Sequence, residues 1–467
     1  MREETIQKMQ EQSHKVFGYA LHDNDYREPW LIFRIMAEFV EGYQFLSDLK
    51  NEVTIMGSAR LHHDDAYCKI AVELGNLLAK KGFTVITGGG PGIMEAANRG
   101  AHEGKGVSIG LNIQLPFEQV LNPYVTKSTS FFFFFTRKVM LTSPANAFVY
   151  FPGGFGTMDE LFEVVDTMEL GFMEKVPIVL VGKKFWEPLI RFLREQGVPR
   201  GIIDEAMIDS WHLVDTASDA YDFIKDVKDR PNQSELAASC FRSGENVDWK
   251  IFRIMAELVE GFEFVTGVRH GITILGTRSV KPGTPYYASA YDLGGLCAGR
   301  GFAVITGGQL GIAEAANKGA FEHGGSSIGI STKVNGLPSV NPYLTKSIHF
   351  QFPFTRKMVV TTPTKAFVFY PGGLGTLHQL FEVLTLIQTK KMKKVPVILY
   401  DHEFWGPLHA YIKSILVHDV DTISSEDDEL YQIVDSEESI LKVIDDFEAQ
   451  EKMKATRSGD HEELTTV

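Results

Sequence analysis

Two stretches of this sequence carry residue types suited to holding and attacking a phosphorylated ligand. The first, Pro152-Gly-Gly-Phe-Gly-Thr157, follows the apolar run Ala147-Phe-Val-Tyr-Phe151 and opens directly into Met158-Asp-Glu-Leu-Phe-Glu-Val-Val165. A glycine-rich turn between a strand and a helix presents backbone N–H groups to a phosphate, and Thr157 adds a hydroxyl. No lysine follows these glycines, so the turn is not a Walker A loop. Glu160 lies one turn beyond Thr157 on the same helical face, which aims a carboxylate at whatever the loop holds. Thr136-Arg-Lys138 supplies positive charge just upstream. The second stretch, Thr87-Gly-Gly-Gly-Pro-Gly92, is another strand-to-helix turn. Alone it says less, because a tight turn needs glycine on steric grounds, and it lacks the GxGxxG dinucleotide spacing.

Other candidate groups read as structural. His62-His63 beside Asp64-Asp65 suits a solvated loop better than a metal site, and no metal is expected. Phe131 to Phe135 reads as core packing rather than a base-stacking platform, and Ser424 to Glu429 as a solvated acidic surface. Cys68, Cys240 and Cys297 have neither CxxC nor metal-ligand spacing, which excludes a disulfide scaffold and fits a reducing compartment. With 46 Lys plus Arg against 60 Asp plus Glu, the net charge of −14 disfavours a nucleic-acid polymer as partner. Met1 to Gln12 has no apolar segment of a signal peptide, and Phe131 to Phe135 is far shorter than the roughly 20 residues of a membrane span. A cytoplasmic, soluble protein without membrane contact is expected.

The elements that position these groups come twice. Trp30-Leu-Ile-Phe-Arg-Ile-Met-Ala-Glu38 recurs as Trp249-Lys-Ile-Phe-Arg-Ile-Met-Ala-Glu257, an offset of 219. The same offset relates Thr87-Gly-Gly to Thr306-Gly-Gly, Glu95-Ala-Ala-Asn98 to Glu314-Ala-Ala-Asn317, and Asn122-Pro-Tyr124 to Asn341-Pro-Tyr343. It also carries Thr136-Arg-Lys138 onto Thr355-Arg-Lys357 and Pro152-Gly-Gly154 onto Pro371-Gly-Gly373. Each copy opens with an amphipathic helix, Trp30 to Leu49 and Trp249 to Thr266, and then alternates strands and helices. In copy one, strands are expected at Val53–Met56, Phe83–Ile86, Val107–Gly110, Ala147–Tyr150 and Val176–Leu180, and helices at Tyr67–Lys81, Ile93–His102 and Met158–Leu170. Alternation of this kind implies an α/β fold: two tandem, Rossmann-like, doubly wound parallel-sheet domains. The expected boundaries are an arm and helix over 1–48, a first domain over 49–228, a linker and helix over 229–268, a second domain over 269–447 and a disordered tail over 448–467.

The segments Gly57-Ser-Ala-Arg60, Thr87-Gly-Gly-Gly-Pro-Gly-Ile-Met-Glu-Ala-Ala97, Arg137-Lys138 and Pro152-Gly-Gly-Phe-Gly-Thr-Met-Asp-Glu160 resemble the LOG ("Lonely Guy") family. These are cytokinin riboside 5′-monophosphate phosphoribohydrolases, often labelled lysine decarboxylases, and the resemblance covers nearly all of each repeat. It implies hydrolysis of the N-glycosidic bond of a nucleoside 5′-monophosphate, such as AMP or a cytokinin nucleotide, to free base and ribose 5-phosphate, with no cofactor. Arg137 and Glu160 would be the catalytic pair. Gly153, Gly154, Gly156 and Thr157 would bind the 5′-phosphate, with Ser58, Gly89, Gly90, Met94, Glu95 and Lys138 completing the substrate site. A decarboxylase would need a lysine in Schiff base with pyridoxal phosphate, and nothing in the sequence singles one out.

Copy two keeps Arg356, Lys357 and the loop residues Gly372, Gly373, Gly375 and Thr376, but Gln379 stands in place of Glu160. Gln309 and Leu310 replace Gly90 and Pro91. The reading is one catalytic site in copy one and a degenerate second site in copy two, with a non-catalytic nucleotide sensor or carrier as the alternative. Relatives of this kind pair as dimers, so the repeats are expected to form an intrachain pseudo-dimer, alone or within a larger homo-oligomer.

Overall fold

The computed structural model describes residues 29–114, 121–228, 247–268, 270–333 and 340–462. The linker expected around 229–246, Cys240, residues 1–28 and residues 463–467 lie outside the described residues. The chain divides into two units. The first comprises Met1–Phe264, Leu377–Lys393 and Leu408–Asp428; the second comprises Val265–Thr376, Lys394–Pro407 and Glu429–Val467. The first unit thus contains the whole first repeat plus three segments of the second: its leading helix and two later stretches.

In the first unit, helix α1 (Pro29–Leu46) precedes β1 (Glu52–Met56), α2 (Ala66–Lys81), β2 (Thr84–Thr87), α3 (Ile93–Glu103), β3 (Ser108–Ile113) and β4 (Lys127–Phe131). Then come α4 (Phe134–Thr142), β5 (Ala147–Tyr150), α5 (Phe155–Glu169), β6 (Ile178–Val181), α6 (Lys183–Phe192), α7 (Glu205–Asp209), β7 (Trp211–Val214), α8 (Ala217–Ile224) and α9 (Val247–Val265). The seven strands form one sheet in the order β4-β3-β2-β1-β5-β6-β7, every neighbouring pair parallel. Strands β1, β2, β5 and β6 are buried along their whole length, which is why they read as mainly apolar runs, with Glu52, Thr54, Thr84 and Thr87 as buried polar exceptions. Val53, Ile55, Leu74, Leu78, Val85, Val149 and Val179 belong to the core between the sheet and its helices.

The second repeat follows the same plan with β8 (Gly271–Leu275), α10 (Pro285–Gly299), β9 (Ala303–Thr306), α11 (Ile312–Glu322), β10 (Ser327–Thr332), β11 (Lys346–Phe350), α12 (Pro353–Thr361) and β12 (Thr364–Phe369). Helix α13 (Leu374–Gln388) follows, then β13 (Val397–Tyr400), α14 (His402–Tyr411), β14 (Gln432–Val434) and α15 (Glu437–Glu462). The sheet order is β11-β10-β9-β8-β12-β13-β14. The doubly wound α/β architecture expected from the sequence is present twice.

Helix α2 stops at Gly82 as expected, at φ 92°, where only glycine is free of strain, and its start is capped by Asp65, which accepts from the Tyr67 N–H. Other expectations need correction. The edge strands β4 and β7 were not anticipated, because β4 is largely exposed and carries Lys, Ser and Thr instead of an apolar run. The tail expected to be disordered from 448 is helical as far as Glu462, since Glu, Gln, Lys, Met and Ala there continue the helix-forming sequence of α15.

In each repeat the first two helices of the sheet touch backbone to backbone. A Cβ on Gly100 would lie 2.0 Å from the Val72 carbonyl oxygen, and one on Gly319 would lie 1.9 Å from that of Tyr291. Gly299, the exposed last residue of α10, has nothing within 4 Å. Gly100→Ala should therefore destabilise the protein by about 2–3 kcal/mol through forced separation of α2 and α3. Gly299→Ala should stabilise it by about 0.5 kcal/mol through helix propensity. Urea denaturation of the two variants checks the opposite signs.

Candidate functional site

Strand order reverses between β1 and β5, the place where doubly wound sheets open a crevice at their carboxyl ends. The loops after β1, β2 and β5 converge there. The Ser58 N–H donates to the Pro152 carbonyl at 2.9 Å, and the Ile93 N–H donates to the Ser58 carbonyl at 3.0 Å, so Ser58 bridges both glycine turns. Gly92 sits at φ 68° with room for no side chain, its Cβ position being 2.4 Å from the Ser58 oxygen.

The Thr87 turn is held from below by buried amides. Thr87 Oγ1 donates to Asn98 Oδ1 at 2.6 Å and accepts from the Gly89 N–H at 2.9 Å. Asn122 Nδ2 donates to the carbonyls of Gly89 (3.0 Å) and Gly90 (3.1 Å) and to Asn98 Oδ1 (2.9 Å), while Asn98 Nδ2 reaches Ser108 Oγ at 2.8 Å. Sequence reasoning did not assign Asn98 and Asn122 a role, although their motifs recur at the 219 offset. The second repeat builds the same network from Thr306, Asn317, Asn341 and Ser327.

Arg137 and Lys138 lie on α4, a helix the sequence reading left unassigned. Its first turn is fixed by Glu38 of α1, a buried carboxylate that accepts from the N–H groups of Phe132 (2.7 Å) and Phe133 (3.3 Å) and from the Thr136 hydroxyl (2.5 Å). The Phe132 ring has the Arg34 guanidinium 4.3 Å and the Lys391 ammonium 4.1 Å from its centre. Lys391 Nζ also donates to the Phe132 carbonyl at 3.2 Å, and burial pulls its pKa down to about 8. Phe131 is buried, as expected of core packing, but Phe132 is a cation-binding ring.

From α4, Arg137 Nε donates to the Leu111 carbonyl at 2.8 Å. Its guanidinium lies so close to Gly88 that a Cβ there would be 2.3 Å from Nη2 and 2.8 Å from Met94 Sδ. Arg137 Nη1 is 3.7 Å from Glu160 Oε1, with side chains only 9% and 14% exposed. The pair is thus within strong charge interaction yet short of a hydrogen bond. Burial lowers the Arg137 pKa against the pull of Glu160 and Asp159. Burial likewise lifts the Glu160 carboxyl above its ordinary range, with Arg137 and Lys138 holding it back.

Beside this pair, Gly153, Gly154, Gly156 and Thr157 form the start of α5. A Cβ on Gly153 would fall 2.1 Å from Thr157 Oγ1, so the loop closes on the threonine. Met94 is buried and Glu95 half-buried in the first turn of α3. Lys138 is placed differently from its expected role at the ligand. It is 3% exposed, with Nζ 2.7 Å from Asp159, 3.5 Å from Glu163 and 3.9 Å from Glu382. Burial opposes its charge, but the three carboxylates outweigh burial and raise its pKa. Segments of the second repeat inside this unit also border the loop. Thr422 and Ile423 approach Gly154, Thr385 approaches Gly156, and Asp427 lies 3.7 Å from Arg60.

In the second unit, Arg356 Nε donates to the Ile330 carbonyl at 2.7 Å, as Arg137 does to Leu111. Lys357 is buried on α12, and a Cβ on Gly372 would meet Thr376 Oγ1 at 2.1 Å, the same closure as in the first loop. Gly373 and Gly375 flank it in sequence, and Gln379, in register with Glu160, falls in the Leu377–Lys393 segment of the first unit. His62, His63 and Asp64 lie close together but are all exposed.

A family model described as possible lysine decarboxylase matches residues 94–224 and 313–444, together more than half of the chain. The cytokinin riboside 5′-monophosphate phosphoribohydrolase LOG of Oryza sativa subsp. japonica is 32% identical over 143 residues, 30% of this chain and 58% of its own length. That of Arabidopsis thaliana named LOG1 is 27% identical over 177 residues, 37% of this chain and 81% of its own. Among solved structures, the molybdenum cofactor carrier protein from Chlamydomonas reinhardtii matches at 21% identity and a TM-score of 0.29, covering 38% of this chain and 98% of that one.

Asn122→Ala would strand the Gly89 and Gly90 carbonyls and Asn98 Oδ1 in a buried place. The expected loss is about 2–4 kcal/mol of stability, read by urea denaturation, since unsatisfied buried groups forfeit their full desolvation energy.

Proposed function

The chain belongs to the family described as possible lysine decarboxylases, and from that premise we propose that its first repeat is a nucleoside 5′-monophosphate phosphoribohydrolase. It hydrolyses the N-glycosidic bond of AMP- or cytokinin-type nucleotides to free base and ribose 5-phosphate. The observation that carries this reading is the Arg137–Glu160 pair, 3.7 Å apart and nearly buried beside a glycine loop at a helix N-terminus. The names of the plant relatives support it.

The chemistry follows from the charges. Cleavage passes through an oxocarbenium-like transition state, and a desolvated carboxylate stabilises that positive charge far better than one in water. Glu160 also suits the ribose hydroxyls or the attacking water. Arg137 remains protonated, so it positions and neutralises rather than donating a proton. Gly153, Gly154, Gly156 and Thr157 take the 5′-phosphate, while Ser58, Gly89, Gly90, Met94 and Glu95 lie toward the rest of the nucleotide. Lys138 acts as a positioning residue. It is also ill suited to a decarboxylase's Schiff base, which needs a neutral amine, because three carboxylates favour its ammonium form. A cytoplasmic location belongs to the same proposal, supported by the sparse cysteines, which suit a reducing compartment. In the second repeat, where Gln379 replaces the carboxylate, the loop from Gly372 to Thr376 and Arg356 hold a nucleotide without cleaving it.

Glu160→Gln should lower turnover by roughly 10²-fold or more while AMP affinity changes little. Release of ribose 5-phosphate and calorimetric binding read the two quantities, and a variant keeping half of wild-type turnover would overturn the assignment. Adenosine should be a far poorer substrate than AMP, because phosphate binding holds the ribose in reacting geometry; equal rates would remove the phosphate loop from the mechanism. Because Glu160 works as the carboxylate and burial raises its pKa, turnover should climb with pH through a midpoint above the ordinary 4.5. A pH–rate profile with full activity below that value would contradict the role.

A further inference from the structure

Helices α5 and α13 hold matching positions in the two repeats, and within the first unit they meet through their own counterparts. Phe162 stacks on Phe381, 219 positions later, with ring centres 5.5 Å apart and planes 1° from parallel. One turn earlier Asp159 faces His378, again 219 positions later, with Oδ1 3.6 Å from Nε2. His378 Nδ1 lies 3.6 Å from Asp166 Oδ2, so a fully buried imidazole sits between two carboxylates of the other helix. Lys138, Glu163 and Glu382 complete the charged surroundings.

A contact in which a residue meets its own counterpart is the isologous geometry of a twofold pair. Between identical chains such geometry sets Asp against Asp, or His against His. Here the counterparts have diverged in charge. Helix α5 carries Asp159, Glu160, Glu163, Asp166 and Glu169, where α13 carries His378, Gln379, Glu382, Thr385 and Gln388. Two copies of α5 would bury facing rows of carboxylates, which is strongly unfavourable without matching cations.

We infer that this face of α5 is a recognition surface specialised for α13 of the same chain and against a second copy of itself, with His378 between Asp159 and Asp166 as the discriminating contact. Duplication allows what a homodimer cannot: a carboxylate and an imidazole at positions related by the pairing symmetry. Attraction to the intended partner and repulsion of the wrong one then come from the same residues.

The inference stands apart from the catalytic reading and is tested on the stability of the full chain. His378→Asp is introduced into the wild-type chain and into the Asp159→His chain, and thermal unfolding midpoints are measured at pH 7. In the wild-type background it should lower the midpoint by about 5 °C or more, by setting carboxylate against carboxylate. In the Asp159→His background the loss should be at least twofold smaller, because the clash with position 159 is removed while that with Asp166 remains. The same downward shift in both backgrounds overturns the proposal. If these exchanges do not fold, His378→Asn is compared in the wild-type and Asp159→Asn chains. The loss should then be at least twofold greater beside the native Asp159, and equal losses overturn the proposal.

Discussion

A carboxylate with almost no access to water fixes the geometry on which the first site rests. Glu38 is desolvated, which pushes its pKa up, yet Thr136 and the Phe132 and Phe133 N–H groups draw it back toward the charged form. Two of those donors are the N–H groups of the N-cap Phe133 and the residue before it, and the third is the Thr136 hydroxyl in the first turn of α4, the end of the helix that carries a partial positive charge. The bond network therefore pins the start of α4 to α1 and sets the direction in which Arg137 leaves the helix. Without it, a guanidinium could not lie against Gly88 and within 3.7 Å of Glu160.

The repeated Trp30–Glu38 motif acquires its meaning from this contact, and the sequence alone showed only its recurrence. What was legible beforehand were features written in local residue types: the buried strands as apolar runs, Gly82 as a helix stop, both glycine turns, and the one-turn spacing that brings Glu160 to its loop. The missing parts are long-range. Glu38 precedes Thr136 by 98 positions, and Asn122 reaches Asn98 across 24. The polar edge strand β4 looks like a loop until β3 is laid beside it. Lys138 reads as a ligand-binding lysine until Asp159, Glu163 and Glu382 surround it, and Glu382 lies in the other repeat.

The two repeats have kept different things. Both retain the buried amide network, the arginine bonded to a strand carbonyl and the threonine-closed loop, which are requirements of backbone shape. They differ at Glu160 and Gln379, where the proposed chemistry calls for a carboxylate in only one copy, and at Asp159 and His378, which face each other where α5 meets α13. Shape has been conserved between the copies while charge has been divided between them.

The first unit is discontinuous in the chain, and this bears on how it is made. Its main segment ends at Phe264, but its last segment ends at Asp428. At ribosomal rates of about 5–20 residues per second, those intervening residues take roughly 8–33 seconds to emerge. For roughly the first 6–24 seconds of that interval Asp159, Asp166 and Lys138 exist without His378 and Glu382, and Phe162 without Phe381. The nascent first repeat therefore waits with an acidic, aromatic face uncovered, and the like charges of such faces oppose their pairing with one another.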